Sequence, residues 1–129
     1  MDYNSKLNTL IEAVIREQGS DLHIGSGRIP MMRVVGSLVQ IVNQEPLTQI
    51  EVIEMIKIMV QSETKVDHFM SEQELDFAYD YKQGVRLRGN AYFERGDISV
   101  ALRLIPQVKS LTELNLPEAL ILHNYSILF

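Results

Sequence analysis

The sequence of 129 residues is 46% hydrophobic and 22% charged, proportions typical of one folded globular domain. It contains no cysteine, which excludes disulfides, thiol catalysis and cysteine zinc sites, and it has neither an apolar run long enough to span a membrane nor an N-terminal secretory signal. The net charge of −5 argues against nucleic acid as the main partner. We therefore expect a soluble, cytoplasmic domain.

The first part of the sequence predicts one helix followed by three short strands. Apolar residues recur at helical spacing over residues 4–18, and Gly19 is expected to end that helix as its C′ residue. Alternation of apolar and polar residues predicts a short strand at 22–24. Two further strands, at 31–35 and 38–42, are expected to form a hairpin with its turn at Gly36-Ser37.

The middle of the sequence predicts two helices. Thr48 and Glu51 have the spacing of a capping box, which begins a helix ending near Gln61. Ser62 is expected to cap a shorter helix that ends at Met70. The inward positions predicted for these helices are Ile50, Ile53, Met55, Ile56, Met59, Val60, Val66, Phe69 and Met70.

Three strands are predicted to follow, over residues 75–81, 85–93 and 98–105. Further helix starts are expected at Ser110 and Leu116. The order helix, strands, helices, strands, with strands joined by hairpins, predicts the α+β class. We expect a mostly antiparallel sheet with the helices packed on one face.

Basic side chains are concentrated late in the chain. Residues 1–80 carry a formal charge of −7, whereas residues 81–129 carry +2. Four of the seven arginines lie within 18 residues, and they are Arg86, Arg88, Arg95 and Arg103. Such a cluster indicates either a solvated strand face or an anion site.

The last two predicted strands have a register that their apolar residues determine. A turn centred on Arg95-Gly96 places only apolar pairs opposite each other on one face, from Phe93–Ile98 to Leu87–Leu104. The same register places Arg88 directly opposite Arg103. Like charges at opposed positions are destabilising unless water screens them or an anion lies between them. The two guanidinium groups could therefore bind a phosphate, or could extend separately into solvent.

No motif of a complete active site is found in the sequence. It has no Gly-Lys pair, which a P-loop requires, and no His-Glu-x-x-His, and its three histidines lack metal-ligand spacing. Asp21 and His23 are alternate residues of one predicted strand, and we interpret them as structural rather than as a catalytic dyad. We predict neither catalytic nor metal-binding residues in this chain.

Four runs of sequence, taken in order, carry a resemblance to a known family. The runs are SDLHI (20–24), GRIPMMRV (27–34), GVRLRGNAYFERG (84–96) and LRLIP (102–106). They resemble the N-terminal domain of the type IV pilus retraction ATPases, the PilT family of twitching motility, in the secretion ATPase superfamily. The resemblance extends over residues ~5–120, and the Pro-Met-x-Arg-Val stretch favours the retraction branch.

The resemblance implies a PAS-like domain at residues 1–107, followed at 108–129 by a linker and the start of a truncated RecA-like motor domain. It implies a parent homo-hexamer that hydrolyses ATP with Mg in the missing motor domain, and that acts with inner-membrane pilus assembly components. This chain should not hydrolyse ATP alone. By motif position, Arg88 and Arg103 would contact the nucleotide phosphates, and Arg95 at the hairpin tip is a candidate subunit contact.

Two alternatives remain from the sequence. A PAS-type small-molecule sensor would hold its ligand between helices and sheet, and a non-catalytic scaffold docking on a pilus or secretion motor would end at Phe129. Val35 and Gly89 depart from the family, which usually has an acidic and a β-branched residue at these positions. Gly89 is therefore expected to weaken its strand. The tail Tyr125–Phe129 matches no motif.

Overall fold

The computed structural model describes residues 2–82 and 84–106, which contain three helices and six strands. In chain order these are α1 (Tyr3–Arg16), β1 (Asp21–Gly25), β2 (Met31–Val34), β3 (Ser37–Gln40), α2 (Gln49–Val60), α3 (Glu63–Glu72), β4 (Glu74–Tyr81), β5 (Val85–Glu94) and β6 (Asp97–Pro106). The predicted α+β class is confirmed. The helix starts predicted at Ser110 and Leu116 lie outside the described residues, as does the segment 108–129. None of the described helices is both long and apolar enough to cross a membrane.

The six described strands form one antiparallel sheet with the order β3-β2-β1-β6-β5-β4. The register predicted for the β5–β6 hairpin is confirmed, from Phe93 opposite Ile98 to Leu87 opposite Leu104. On its other edge β6 pairs with β1, so that the first and last described strands lie side by side. The strands β5, which carries Arg88, and β6, which carries Arg103, are therefore interior strands of the sheet, with a neighbouring strand on each edge.

The helices cover one face of the sheet, as predicted. Both α1 and α2 contact β1, and α2 also contacts β4 and β6. Leu22, Leu87 and Leu102 project from the sheet into this layer and are fully buried. They belong to one core cluster with buried side chains of the helices, which include Leu7, Leu10, Ile11, Val52, Met55, Ile56 and Phe69. Because each such side chain contributes about 1.5–3 kcal/mol when buried, this filled layer stabilises the fold, and it gives no support to a ligand held between helices and sheet.

Two predicted inward positions are wrong. Ile50 is 64% exposed and Met70 is 46% exposed. The buried stripe of α2 runs through Val52, Met55, Ile56 and Met59, and Ile50 lies on the other side of the helix. The shorter α3 buries only Val66 and Phe69.

The end of α1 differs from the prediction. The residue with the left-handed conformation is Gln18, with φ 57°, and Gly19 follows it. Gly19 is needed for a different reason, because a Cβ there would lie 2.9 Å from the carbonyl oxygen of Arg33. The glycine thus allows the end of α1 to approach the end of β2 closely.

The β2–β3 turn consists of Val35 and Gly36, one residue earlier than predicted. Both residues have positive φ, 49° and 79°, the pattern of a type I′ turn. A β-branched residue is strained in this conformation. The Val35 side chain is also 97% exposed, so it gains nothing from packing.

Replacing Val35 with asparagine should therefore stabilise the protein by about 1 kcal/mol, because asparagine tolerates the left-handed conformation and type I′ turns favour Asn-Gly. Thermal unfolding measures the change. Val42→Asn is the matched control, since Val42 is 73% exposed but has no positive φ. An equal gain in both variants would show that reduced surface hydrophobicity, rather than relief of backbone strain, is responsible.

Candidate functional site

The sheet face opposite the helices carries a row of charged side chains. Arg33, Asp21, Arg103 and Arg88 stand at paired positions on the adjacent strands β2, β1, β6 and β5. Paired residues of an antiparallel sheet point to the same face and have Cβ atoms about 4.5–5.5 Å apart. None of the described helices packs over this face, and we call these four residues the charged row.

The predicted position of Arg88 opposite Arg103 is confirmed. Both side chains are exposed, that of Arg103 by 72%. Among the described residues Arg88 has no salt bridge and no side-chain hydrogen bond, and Arg103 has only a loose contact, with its Nε 3.9 Å from Oδ2 of Asp21. Two adjacent guanidinium groups with so little neutralisation can bind a phosphate or carboxylate group through several hydrogen bonds.

A shallow depression of about 530 Å³ surrounds the two arginines. It is lined by Arg88 and Arg103, by the carboxylates of Asp21 and Asp76, and by the small side chain of Ala101. Its size is within the range of small-molecule sites. The depression is therefore large enough for a phosphate group together with part of the molecule that carries it.

The acidic residues of β4 near Arg88 are engaged by other partners. Asp80 lies 3.4 Å from Nη1 of Arg86, and Asp76 accepts a hydrogen bond of 2.7 Å from Nδ2 of Asn90. Arg86 points to the same face as Arg88, two residues earlier on β5. The two arginines thus differ in what they contact: Arg86 has an acidic partner and Arg88 has none among the described residues.

Arg95 lies at the tip of the β5–β6 hairpin, seven residues along the chain from Arg88. It has φ 55°, Gly96 has φ 85°, and the Arg95 side chain is exposed. The Gln49 side chain holds this tip, because its Nε2 donates to the Gly96 carbonyl at 3.2 Å and its Oε1 accepts from the Ile98 N–H at 3.2 Å. The start of α2 therefore fixes the position at which Arg95 is presented.

Asp21 and His23 share the open face but contact different groups. His23 lines a small cavity of about 60 Å³ with Arg28 and Ser99, and its Nε2 is buried without a hydrogen-bond partner among the described residues. Arg28 lies over Gly25 and donates from Nη2 to Oγ of Ser99 at 2.6 Å. No hydrogen bond joins Asp21 to His23 in the described part of the chain, so the two side chains do not form a hydrogen-bonded pair there.

Sequence reasoning missed two residues of this region. Asp21 was not expected beside Arg103, because that contact depends on pairing between the first and last described strands. Gln49 was not expected to hold the hairpin tip, because a glutamine at a helix start carries no recognisable signal. Asp21 belongs to the SDLHI run and Gln49 to no motif, and in neither case does the local sequence indicate the contact.

Type IV pilus ATPases match most of this chain. The type IV pilus ATPase PilU of Pseudomonas aeruginosa is 31% identical over 112 residues, and the type IV pilus retraction ATPase PilT of the same organism is 29% identical over 113. The matches cover 86% and 87% of this chain but 29% and 32% of the relatives. The chain thus spans about a third of their length. No family model matches the sequence.

Solved structures of ATPases also match most of this chain. The ATPase DotB of Legionella pneumophila has 26% identity and a TM-score of 0.69, covering 91% of this chain and 33% of that protein. The pilus retraction motor PilT with bound ADP has 22% identity and a TM-score of 0.68, covering 85% and 32%. The chain is a homologue of the N-terminal domain of pilus and secretion ATPases. The resemblance noted in the sequence is thereby confirmed, and the charged row is the candidate site of this N-terminal domain.

Proposed function

We propose that this chain is the nucleotide-clamping and subunit-contact domain of a hexameric type IV pilus retraction ATPase that acts in twitching motility. Arg88 and Arg103 bind the terminal phosphate of ATP, while the motor domain holds the rest of the nucleotide, its Mg and the hydrolytic groups. The observation that carries this proposal is the position of Arg88 opposite Arg103 on the open face of the sheet.

Charge explains why the pair Arg88 and Arg103, which we call the clamp, responds to the hydrolysis of ATP. Two guanidinium groups on paired strand positions repel each other. A terminal phosphate between them replaces that repulsion with two charge-assisted interactions and draws this domain against its motor domain. When the terminal phosphate leaves, the anion is lost and the two domains can separate.

The comparisons support a longer, nucleotide-dependent motor protein as the parent of this chain. The relatives are about three times as long as the matched segment, which leaves room in them for a motor domain. A structure of PilT contains ADP, which supports a nucleotide as the ligand. In the assembled homo-hexamer, Arg95 on its fixed hairpin tip contacts the adjacent subunit. The motor works from the cytoplasm on pilus assembly components of the inner membrane.

Each of the variants Arg88→Ala and Arg103→Ala should bind inorganic tripolyphosphate about ten-fold more weakly than the wild-type 129-residue chain, because each loses one charge-assisted contact. Titration calorimetry at low ionic strength measures the affinity. Arg86→Ala is the matched control: it removes the same charge from the same face, but its guanidinium already contacts Asp80. It should change the affinity by no more than about three-fold.

The controls separate the clamp from the scaffold alternative. Circular dichroism and thermal unfolding should be unchanged in all three variants, because these side chains are exposed. An equal loss of affinity in all three would mean that only the general charge of the face matters. If the wild-type chain does not bind tripolyphosphate, or the variants bind it as tightly as wild type, the clamp is wrong and the scaffold alternative is favoured.

A further inference from the structure

Asp21 lies on the side of Arg103 that faces away from Arg88. We propose that Asp21 is an internal counter-anion, which holds Arg103 away from Arg88 when no phosphate is bound and competes with the phosphate for Arg103. This inference rests on the proposed clamp and adds the regulation of that site. Its basis is the order of the charged row, in which Asp21 and Arg88 flank Arg103 on the two neighbouring strands.

The backbone fixes Asp21, whereas Arg103 can move. Both residues belong to the β1–β6 ladder, so the separation of their Cα atoms is set by the sheet. The Asp21 side chain is only 14% exposed, whereas that of Arg103 is 72% exposed. A short carboxylate held in the sheet surface therefore faces a long side chain that extends above it. A change of Arg103 rotamers alone can carry its guanidinium from Asp21 towards Arg88.

The contact between Asp21 and Arg103 is loose enough to be exchanged. The Nε to Oδ2 distance of 3.9 Å is longer than a hydrogen bond, and no described residue donates a hydrogen bond to the Asp21 carboxylate. A bidentate pair would hold Arg103 firmly, whereas a single contact at this distance, made by an arginine side chain that is 72% exposed, contributes little. Arg103 therefore has a resting position that a better anion can replace.

The order of charges in the row, with the carboxylate of Asp21 on one side of Arg103 and the guanidinium of Arg88 on the other, gives the exchange a direction. Without a phosphate, Asp21 attracts Arg103 and reduces its repulsion with Arg88, which opens the clamp. A terminal phosphate carries more negative charge than one carboxylate and can contact both arginines at once, which closes it. After hydrolysis, Arg103 returns to its contact with Asp21, which favours separation of this domain from the motor domain.

Replacing Asp21 with asparagine should tighten the binding of inorganic tripolyphosphate to the 129-residue chain by about two- to five-fold, the range expected for one loose ion pair with an exposed arginine. Asp76→Asn is the matched control. Asp76 lines the same depression and the variant loses the same charge, but its carboxylate contacts Asn90 rather than an arginine. The gain of Asp21→Asn should exceed that of Asp76→Asn by at least about two-fold, and it should disappear in the Arg103→Ala background.

The outcomes separate this inference from the clamp. If Arg103→Ala weakens binding as expected, but Asp21→Asn gains no more than Asp76→Asn, only the role of Asp21 is overturned. Weaker binding by Asp21→Asn overturns it as well, because Asp21 would then position Arg103 for the phosphate. If Arg103→Ala binds tripolyphosphate as tightly as wild type, or if wild type does not bind it, the clamp itself fails.

Discussion

Replacing Glu51 with alanine should lower the free energy of unfolding by about 2–3 kcal/mol, although the residue lies far along the chain from the two clamp arginines. Glu51 is 7% exposed and is one of two buried polar or charged residues among those that the structure describes. Its carboxylate has two tasks, because it closes the capping box of α2 and also pairs with Lys6 of α1. One substitution therefore weakens a helix start and a contact between two helices.

The geometry of Glu51 accounts for the size of this effect. Its Oε1 accepts a hydrogen bond of 2.9 Å from the Thr48 N–H, and the Thr48 hydroxyl accepts one of 3.1 Å from the Glu51 N–H. Its Oε2 accepts a hydrogen bond from Nζ of Lys6, whose side chain is 28% exposed. In the alanine variant the Thr48 N–H loses its partner and a half-buried ammonium group loses its counter-charge, which is costly.

The same contacts make the stability depend on pH in a defined direction. The hydrogen bond from Lys6, followed by that from the Thr48 N–H, lowers the pKa of Glu51 below its ordinary value of 4.5. A carboxyl group with a lower pKa in the folded state stabilises the protein above its unfolded pKa, and this contribution is lost as the pH falls through the folded pKa. Wild type should therefore lose stability below about pH 4.5, and Glu51→Gln should lose less over the same range.

Urea unfolding between about pH 3 and pH 7 measures both effects. Glu54→Gln is the matched control on the same helix, since Glu54 has only a surface contact of 3.8 Å with Lys57. It should change the stability by less than about 0.5 kcal/mol. If Glu51→Ala is no worse than Glu54→Gln, the capping box and the contact with Lys6 do not stabilise the domain.

The sequence allows prediction of those features that depend on neighbouring residues. The capping box of α2 follows from Thr48 and Glu51 alone, and it is present. The β5–β6 register follows from matching two apolar faces across one short turn, and the same register places Arg88 opposite Arg103. The central pair of the candidate site is therefore predictable from local pattern alone.

Features that depend on distant pairing are not predictable in this way. The contact of Asp21 with Arg103 requires β1 to lie beside β6, and the hydrogen bond of 2.5 Å from the Tyr81 hydroxyl to Glu12 joins β4 to α1. Burial and the neighbouring Glu12 carboxylate raise the pKa of Tyr81, so this hydroxyl remains a donor. No periodicity within one segment contains this information, because strand order determines which side chains meet.

Gly89 is unusual for a strand position in the sequence, and only the fold explains why a glycine is present there. The glycine is expected to weaken β5, since it contributes no side chain to the core. In the sheet Gly89 lies opposite Phe77 of β4, and a Cβ at position 89 would lie 2.3 Å from Cζ of Phe77. The Phe77 ring thus covers the glycine and fills the space that a β-branched side chain would occupy, as aromatic residues do beside strand glycines.

Replacing Gly89 with valine should therefore lower the free energy of unfolding by about 1–3 kcal/mol, despite the higher strand propensity of valine. Three ring atoms of Phe77 lie within 2.8 Å of the new Cβ, so the ring must leave its place on the core. Loss of that packing outweighs a gain in strand propensity of about 1 kcal/mol at most. Urea unfolding of the single variant measures the sum of the two effects.

A double-mutant cycle separates these two effects. In the Phe77→Ala background the space above position 89 is free, so Gly89→Val should be neutral or stabilising by up to about 1 kcal/mol. The valine substitution should thus destabilise the protein only when the ring of Phe77 is present. Equal destabilisation in both would place the cost in the β5 backbone and would show that the ring of Phe77 is not the reason for glycine at this position.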